Sequence, residues 1–173
     1  MKILYRIFRF SHVMLTILLG LTSFVLFGQD QPQKAKLVLS KIVFHSSRCN
    51  GLCPKLDFEI DSNNDIFVFR EFYLTKSKID KKNSGNFKGT VKNQDYQKLI
   101  AALDNLNLDT LEFPDVKCCD GIVSTIIIYF NGKRKYLKSM TPPQSAQRVI
   151  WILNNIGYDK ELKRTTEIKN IED

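Results

Sequence analysis

The strongest local signal in the sequence is a tight hairpin turn late in the chain. The run IVSTIIIYF at residues 122–130 is rich in β-branched side chains, which favour strands. Asn131 and Gly132 follow it, and both tolerate the positive φ angles that a two-residue hairpin turn requires. KRKYLK at residues 133–138 then returns as the partner strand. The sequence therefore predicts an antiparallel hairpin, and with it a fold that contains a sheet.

The first half of the chain predicts further strands. LVLSKIVFH, ending at His45, is rich in branched and aromatic residues. Apolar and polar residues alternate from Leu56 to Asp61, which is the period of a strand with one buried face. Four polar residues then turn the chain into IFVFREFYL at 66–74, which predicts a second hairpin. Residues 75–84 are expected to form an exposed loop and residues 87–91 a short edge strand.

Two segments predict helices. Asn93 can cap the first, whose apolar residues fall at helical spacing at Tyr96, Leu99, Ile100 and Leu103. The second has Thr141 as cap, Pro142 at the first helical position, Gln144 completing a capping box and Gly157 beyond the last turn. Its expected buried residues are Ala146, Val149, Ile150, Leu153 and Ile156, with Trp151 on another side. Hairpins beside helices predict an α+β fold, a mainly antiparallel sheet with two helices packed on one face.

The N-terminus has the outline of a secretory signal peptide. Lys2, Arg6 and Arg9 precede fifteen uncharged residues at 13–27, and small Gly28 suits a cut after it. This run is shorter than the roughly 20 residues that a membrane-spanning helix needs, although an uncleaved anchor stays open as an alternative. We therefore expect a secreted or periplasmic protein that contacts the membrane only through this segment before cleavage.

The remaining chain is long enough for one domain. We expect a signal peptide at 1–28, a short linker at 29–36, a single domain at 37–158 and a polar, flexible tail at 159–173. Loss of the three basic residues of the signal peptide lowers the formal net charge from +8 to +5. The lysine clusters are interpreted as solvated surface, so no nucleic-acid partner is predicted.

The four cysteines are the main chemical question. Cys49 and Cys53 lie in the stretch CNGLCP, and Cys118 and Cys119 are adjacent. In an exported chain an even number of cysteines is first interpreted as disulfide-bonded. A bond between Cys118 and Cys119 is awkward, because neighbouring Cα atoms lie about 3.8 Å apart, below the usual disulfide range. The sequence leaves the connectivity open among three complete pairings.

A metal- or thiol-handling role is the alternative for Cys49, Cys53, Cys118 and Cys119. Four thiolates could hold zinc, and soft thiolates also suit Cu(I). Consecutive side chains of an extended segment point to opposite faces, so the adjacent cysteines fit one metal ion poorly. The three-residue spacing in CNGLCP also lacks the two-residue spacing of thioredoxin-type redox sites. We predict no cofactor.

Catalytic signatures are missing from the sequence. His45 is the only histidine after the expected signal peptide, and no G-x-S-x-G, H-E-x-x-H or phosphate-loop pattern occurs. We therefore predict no catalytic residue and no enzyme activity.

Residues 44–156 resemble a bacterial family of exported proteins called domain of unknown function 6438, whose signature is C-F-G-x-C-P. Cys49, Gly51, Cys53 and Pro54 match this signature, whereas Asn50 departs from its aromatic residue. Weaker similarity is found at Gly85, Phe87, Asp120 and Pro142 or Pro143. The resemblance implies export, a single domain and a Cys49–Cys53 pair that can act as a local unit; it implies no reaction.

These observations together predict a function class. We expect an exported, non-enzymatic, disulfide-stapled domain with a binding or interaction role toward an unknown envelope or extracellular partner. Gly51, Pro54 and Asp120 are the motif residues expected to accompany the cysteines.

Overall fold

The structure, a computed structural model, describes residues 36–116 and 120–173. The predicted signal peptide, nearly all of the linker, and Cys118 and Cys119 lie outside the described residues. The strands of the described part are β1 (Leu39–Ser46), β2 (Lys55–Asp61), β3 (Asp65–Glu71), β4 (Tyr73–Thr75), β5 (Lys78–Ile79), β6 (Gly85–Thr90), β7 (Ser124–Phe130), β8 (Lys133–Ser139) and β9 (Lys163–Thr165). The α-helices are α1 (Asn93–Asp104) and α2 (Gln147–Gly157).

Seven strands form one antiparallel sheet in the order β8-β7-β1-β2-β3-β6-β9. β4 and β5 pair separately, inside a stretch that overlaps the predicted exposed loop. Both predicted hairpins are present: β2 turns into β3 through Asn64 at φ 66°, and β7 into β8 through Asn131 at 49° and Gly132 at 74°. The predicted α+β fold, a mainly antiparallel sheet with two helices, is confirmed.

Both helices cover the same face of the sheet. Alternate residues of the central strands point to this face, and the Phe44 and Phe58 rings pack there with centroids 5.4 Å apart. Leu99 and Leu103 of α1 and Leu153 of α2 are fully buried against them. Burying these side chains stabilises the fold by roughly 1.5–3 kcal/mol each. No helix in the described part of the chain is long and apolar enough to cross a membrane.

The predicted helix starts are wrong. Asn93 is the first residue of α1 rather than its cap, because the Lys92 carbonyl accepts the Asp95 and Tyr96 amides. Residues 144–146 form a 3-10 turn, and α2 begins only at Gln147, without a side-chain cap. A proline disfavours helical backbone at the residue before it, and Pro142 directly precedes Pro143, which explains why no helix begins there. Trp151 is 65% exposed, on the side of α2 away from the core.

Part of the predicted flexible tail forms a strand, β9. β9 pairs with β6, so the strand expected at the sheet edge lies inside the sheet. Arg164 of β9 places its guanidinium 4.9 Å from the centre of the Phe87 ring and donates to the Ser84 carbonyl at 2.7 Å. Leu162 is buried at 9% exposure. The contacts of Arg164 and the backbone pairing with β6 thus hold β9 in the sheet, although its sequence has no apolar stripe.

The sheet face opposite the helices, called here the helix-free face, is crossed by residues 166–173, called here the C-terminal segment. Lys41, His45 and Asp57 lie on this face and contact each other or the segment. The layout is therefore a layer of helices, a sheet, and one extended segment on the far side.

Candidate functional site

The cysteine loop, residues 47–54, connects the neighbouring antiparallel strands β1 and β2. The Sγ atoms of Cys49 and Cys53 lie 1.99 Å apart, at disulfide bonding distance, and their Cα atoms are separated by 5.4 Å. The Gly51 amide donates to the Cys49 Sγ at 3.2 Å. A Cβ added at Gly51 would lie 3.3 Å from the same sulfur, which is a tight contact. A glycine between the two cysteines therefore suits the closed loop.

A second stretch of chain is bonded to the cysteine loop. The Ser47 amide donates to the Val123 carbonyl at 2.9 Å, and the Val123 amide donates to the Ser47 hydroxyl at 2.8 Å. Asn50 donates from Nδ2 to Asp120 Oδ2 at 2.9 Å. The loop and residues 120–123 thus form one unit at the end of the sheet, called here the loop end.

The structure places close together motif residues that the sequence analysis named without predicting their contacts. Asp120, Cys49, Gly51 and Cys53 all belong to the loop end. Asn50 was missed as a functional residue, since the sequence marks it only as a departure from an aromatic position. The contact between Asn50 and Asp120 could be predicted only by knowing that β1 and β7 are neighbours in the sheet.

A cleft of about 530 Å³ opens beside the loop end. Pro54 of the motif lines it, together with Ile122 from the bonded stretch. Its other lining residues are Ser46, Ser124, Met140, Thr141, Pro142, Gln147, Ile150, Asn154 and Tyr158. Apolar side chains with a few amide and hydroxyl groups around them are typical of a binding cleft. Leu52, at 55% exposure, lies at the tip of the loop.

The alternative metal site needs Cys118 and Cys119, which lie outside the described residues. Within 36–116 and 120–173, no three or more His, Cys, Asp or Glu side chains are grouped so that they could hold a metal ion.

His45, for which the sequence predicts no catalytic role, has two hydrogen-bond partners on the helix-free face. Its Nδ1 lies 2.8 Å from Asp57 Oδ1, and its Nε2 lies 2.7 Å from the Glu172 carbonyl. Lys55 donates to the other oxygen of Asp57 at 2.9 Å. Burial lowers the pKa of His45, but the hydrogen bonds to Asp57 and Glu172 outweigh it, and the pKa is raised.

The same contacts act on Asp57. Burial raises the pKa of this carboxyl, whereas the bonds from His45 and Lys55 lower it, and the net direction is down. Asp57 therefore stays ionised near neutral pH. His45 and Asp57 occupy paired positions in β1 and β2, so the register of this strand pair could have predicted their contact.

Residues 40–158 match the family described as Domain of unknown function (DUF6438). The chain belongs to this family. The DUF6438 region runs from β1 to the residue after α2, and it therefore contains the cysteine loop, residues 120–123 and the cleft. β9 and the C-terminal segment lie beyond it. No curated protein matches the chain.

Proposed function

We propose that this DUF6438 chain is an exported, non-enzymatic binding domain and that the loop end, with its adjoining cleft, is the binding surface. The observation that carries the proposal is that the Cys49–Cys53 loop is bonded to residues 120–123 beside the cleft. The fold supplies a rigid sheet end, and the disulfide fixes the loop that it carries.

Rigidity supports a binding role. A loop closed by a disulfide and pinned by hydrogen bonds loses little conformational entropy when a partner docks on it, and this improves affinity. The loop end also holds apolar side chains in water, with Leu52 at 55% and Ile122 at 38% exposure. A partner that offers an apolar side chain to the cleft, with polar groups for Asn154 and Gln147 at its wall, fits these surroundings.

The non-enzymatic part of the proposal is supported by the sequence, in which no G-x-S-x-G, H-E-x-x-H or phosphate-loop pattern occurs. Export is supported by the outline of residues 1–28 and by the disulfide, since disulfides persist outside the cytosol.

The first experiment is the intact mass of the natively exported protein under native conditions, with a reduced and alkylated aliquot beside it. We expect a chain that lacks residues 1–28, in which Cys49 and Cys53 are oxidised and no metal adduct is bound. A peptide map of the unreduced sample should give a cross-linked 49–53 fragment. A chain that keeps both cysteines free would contradict the structural role of the disulfide.

The second experiment locates the binding surface. A photo-crosslinking amino acid replaces Leu52 in the exported protein, and a matched variant carries it at Trp151, which is 65% exposed on the outer side of α2. We expect a defined adduct from position 52 and none from position 151. The adduct should be lost when Cys49 and Cys53 are both changed to serine while the circular dichroism spectrum is preserved. Equal adducts from both positions would contradict the assignment.

A thiol- or metal-handling role is the second candidate, and one observation favours it. Asp120 directly follows Cys119 in the sequence and accepts a hydrogen bond from Asn50, which lies between Cys49 and Cys53. In the sequence, Cys118 and Cys119 therefore directly precede a residue that contacts the cysteine loop. Free thiols with a stoichiometric copper or zinc adduct in the native mass spectrum would favour this candidate over the first.

A further inference from the structure

The C-terminal segment, residues 166–173, is anchored on the helix-free face through Glu172. Its carboxylate lies 2.8 Å from the Lys41 ammonium and 2.9 Å from the Arg134 guanidinium, and it accepts from the Tyr129 hydroxyl at 2.7 Å. These three contacts lower the pKa of Glu172 to about 2. The carboxylate is therefore ionised at every pH near neutrality.

Apolar burial contributes little to this docking. Ile168 is 91% exposed, and most of the segment faces water. Lys169 forms an ion pair with Glu59 at 2.5 Å, which adds another polar contact. A segment held mainly by polar contacts opens at a much lower free energy than the core unfolds. Its docking can therefore respond to a change in one charge.

The segment has a second anchor at His45. The two acceptors of this ring are the ionised Asp57 carboxylate at Nδ1 and the Glu172 carbonyl at Nε2, and neither can donate a proton. A neutral imidazole carries only one N–H, so it can satisfy only one of them. Both hydrogen bonds form together only when His45 is an imidazolium.

We propose that the C-terminal segment is a pH-sensitive strap, closed over the helix-free face while His45 is charged and loosened when His45 is neutral. The titratable or charged groups that face His45 come from three elements: Asp57 and Lys55 on β2, Tyr136 and Lys138 on β8, and Glu172, Asp173 and Lys169 on the segment. The Asp173 Oδ1, 3.8 Å from Nε2, also favours the imidazolium.

The direction of the switch follows from the hydrogen bonds. Because they raise the pKa of His45 above its ordinary 6.5, the stabilisation is fully present below pH 6.5 and is lost as the pH rises through the raised value. Glu172 stays ionised throughout this range, so the strap is loosened at His45 and remains tethered by its ion pairs.

Two clefts flank the end of the strap. They measure about 450 and 390 Å³, and both are lined by His45, Lys55, Asp57 and Asp173. Loosening of the strap at His45 frees Asp173, which lines both clefts. The switch therefore controls access to a polar surface that includes the His45 imidazole, the Lys55 ammonium and the Asp57 carboxylate.

The test is an NMR titration of the chain from about pH 5 to about pH 9, which brackets the ordinary histidine range. The ring signals of His45 report its charge, and the amide signals and heteronuclear NOEs of residues 168–173 report the order of the strap. We expect the NOEs to fall with a midpoint that equals the His45 midpoint and lies above 6.5. Amide signals that show no step at the His45 midpoint would overturn the proposal.

Variants separate the switch from a general loss of structure. His45→Gln removes the titrating group, so the step in the strap signals should disappear. Asp57→Asn keeps His45 but removes a charged partner, so both midpoints should move together to lower pH. Glu172→Gln should lower the NOEs at every pH while the His45 step persists. A step that keeps its midpoint in His45→Gln would overturn the proposal, and so would separate midpoints in Asp57→Asn.

Discussion

Asn50 and Asp120 are joined by a hydrogen bond of 2.9 Å between Nδ2 and Oδ2, although 70 positions separate them in the chain. The contact arises because β1 and β7 are neighbours in the sheet, so the loop after β1 meets the segment before β7. An acidic residue far in sequence from Cys49 and Cys53 thereby becomes part of the cysteine loop's support.

Replacing Asp120 with alanine should loosen the cysteine loop without unfolding the domain. The contact is exposed, so the free energy of unfolding should fall by no more than about 1 kcal/mol. The amide of Asn50 should exchange faster, since it also contacts the Asp120 carbonyl through a long bond of 3.5 Å. Urea unfolding and hydrogen exchange measure the two effects. Asp115→Ala, in an exposed stretch of the same connection, is the control, and equal loop exchange in both variants would contradict the assignment.

Replacing Arg70 with lysine should destabilise the fold by about 2 kcal/mol. The Arg70 guanidinium is buried, stacks 3.8 Å from the Phe87 ring centre, and donates to the carbonyls of Gly157 and Asp159. A lysine keeps the charge but loses the planar fork that makes these contacts together. Chemical denaturation measures the loss. Arg148→Lys, on the exposed side of α2, should change the stability by less than about 0.5 kcal/mol, and similar losses in both variants would refute this account.

Replacing Gly157 with alanine should destabilise the protein although alanine favours helices. A Cβ at this position would lie 2.7 Å from a methyl carbon of Leu56 and 3.1 Å from the Phe58 ring, and both residues are fully buried. Overpacking of this kind costs about 1–3 kcal/mol, more than the roughly 1 kcal/mol that alanine gains over glycine in a helix. Thermal unfolding should show a lower Tm. Asn155→Ala, exposed on the same helix, should leave the Tm unchanged or raise it slightly.

Replacing Glu172 with glutamine should reduce stability in a pH-dependent way. Because the pKa of Glu172 is lowered from 4.5 to about 2, its stabilising effect is fully present above pH 4.5 and is lost as the pH falls toward 2. The difference in unfolding free energy between the wild-type and Glu172→Gln chains should therefore shrink across this window. Denaturation series at several pH values measure it. A difference that stays constant down to pH 2 would show that the carboxylate charge is not involved.

Sequence reasoning succeeds where one short stretch decides the structure. Asn131 and Gly132 fix a hairpin by their own backbone preferences, and the alternation at 56–61 fixes which residues of β2 face the core. These signals are local, so the two hairpins and the α+β class follow from the sequence.

Sequence reasoning fails where distant groups meet. β9 has no strand-like pattern, and it forms where Arg164 reaches the Phe87 ring and the carbonyls of residues 81, 82 and 84. The His45–Asp57 and Asn50–Asp120 pairs likewise depend on which strands become neighbours. Within the candidate site, the cysteine motif was predictable from its residues, whereas its support from 120–123 was not.

The edge strands of the sheet, β8 and β9, are rich in basic residues, and this affects whether the protein aggregates. An outer strand exposes unpaired backbone groups that can recruit another sheet and begin aggregation. β8 carries Lys133, Arg134, Lys135 and Lys138, and β9 carries Lys163 and Arg164. Pairing the edge strands of two molecules would bring positive charges together, and these charges repel each other. Neither edge strand therefore favours the growth of fibrils.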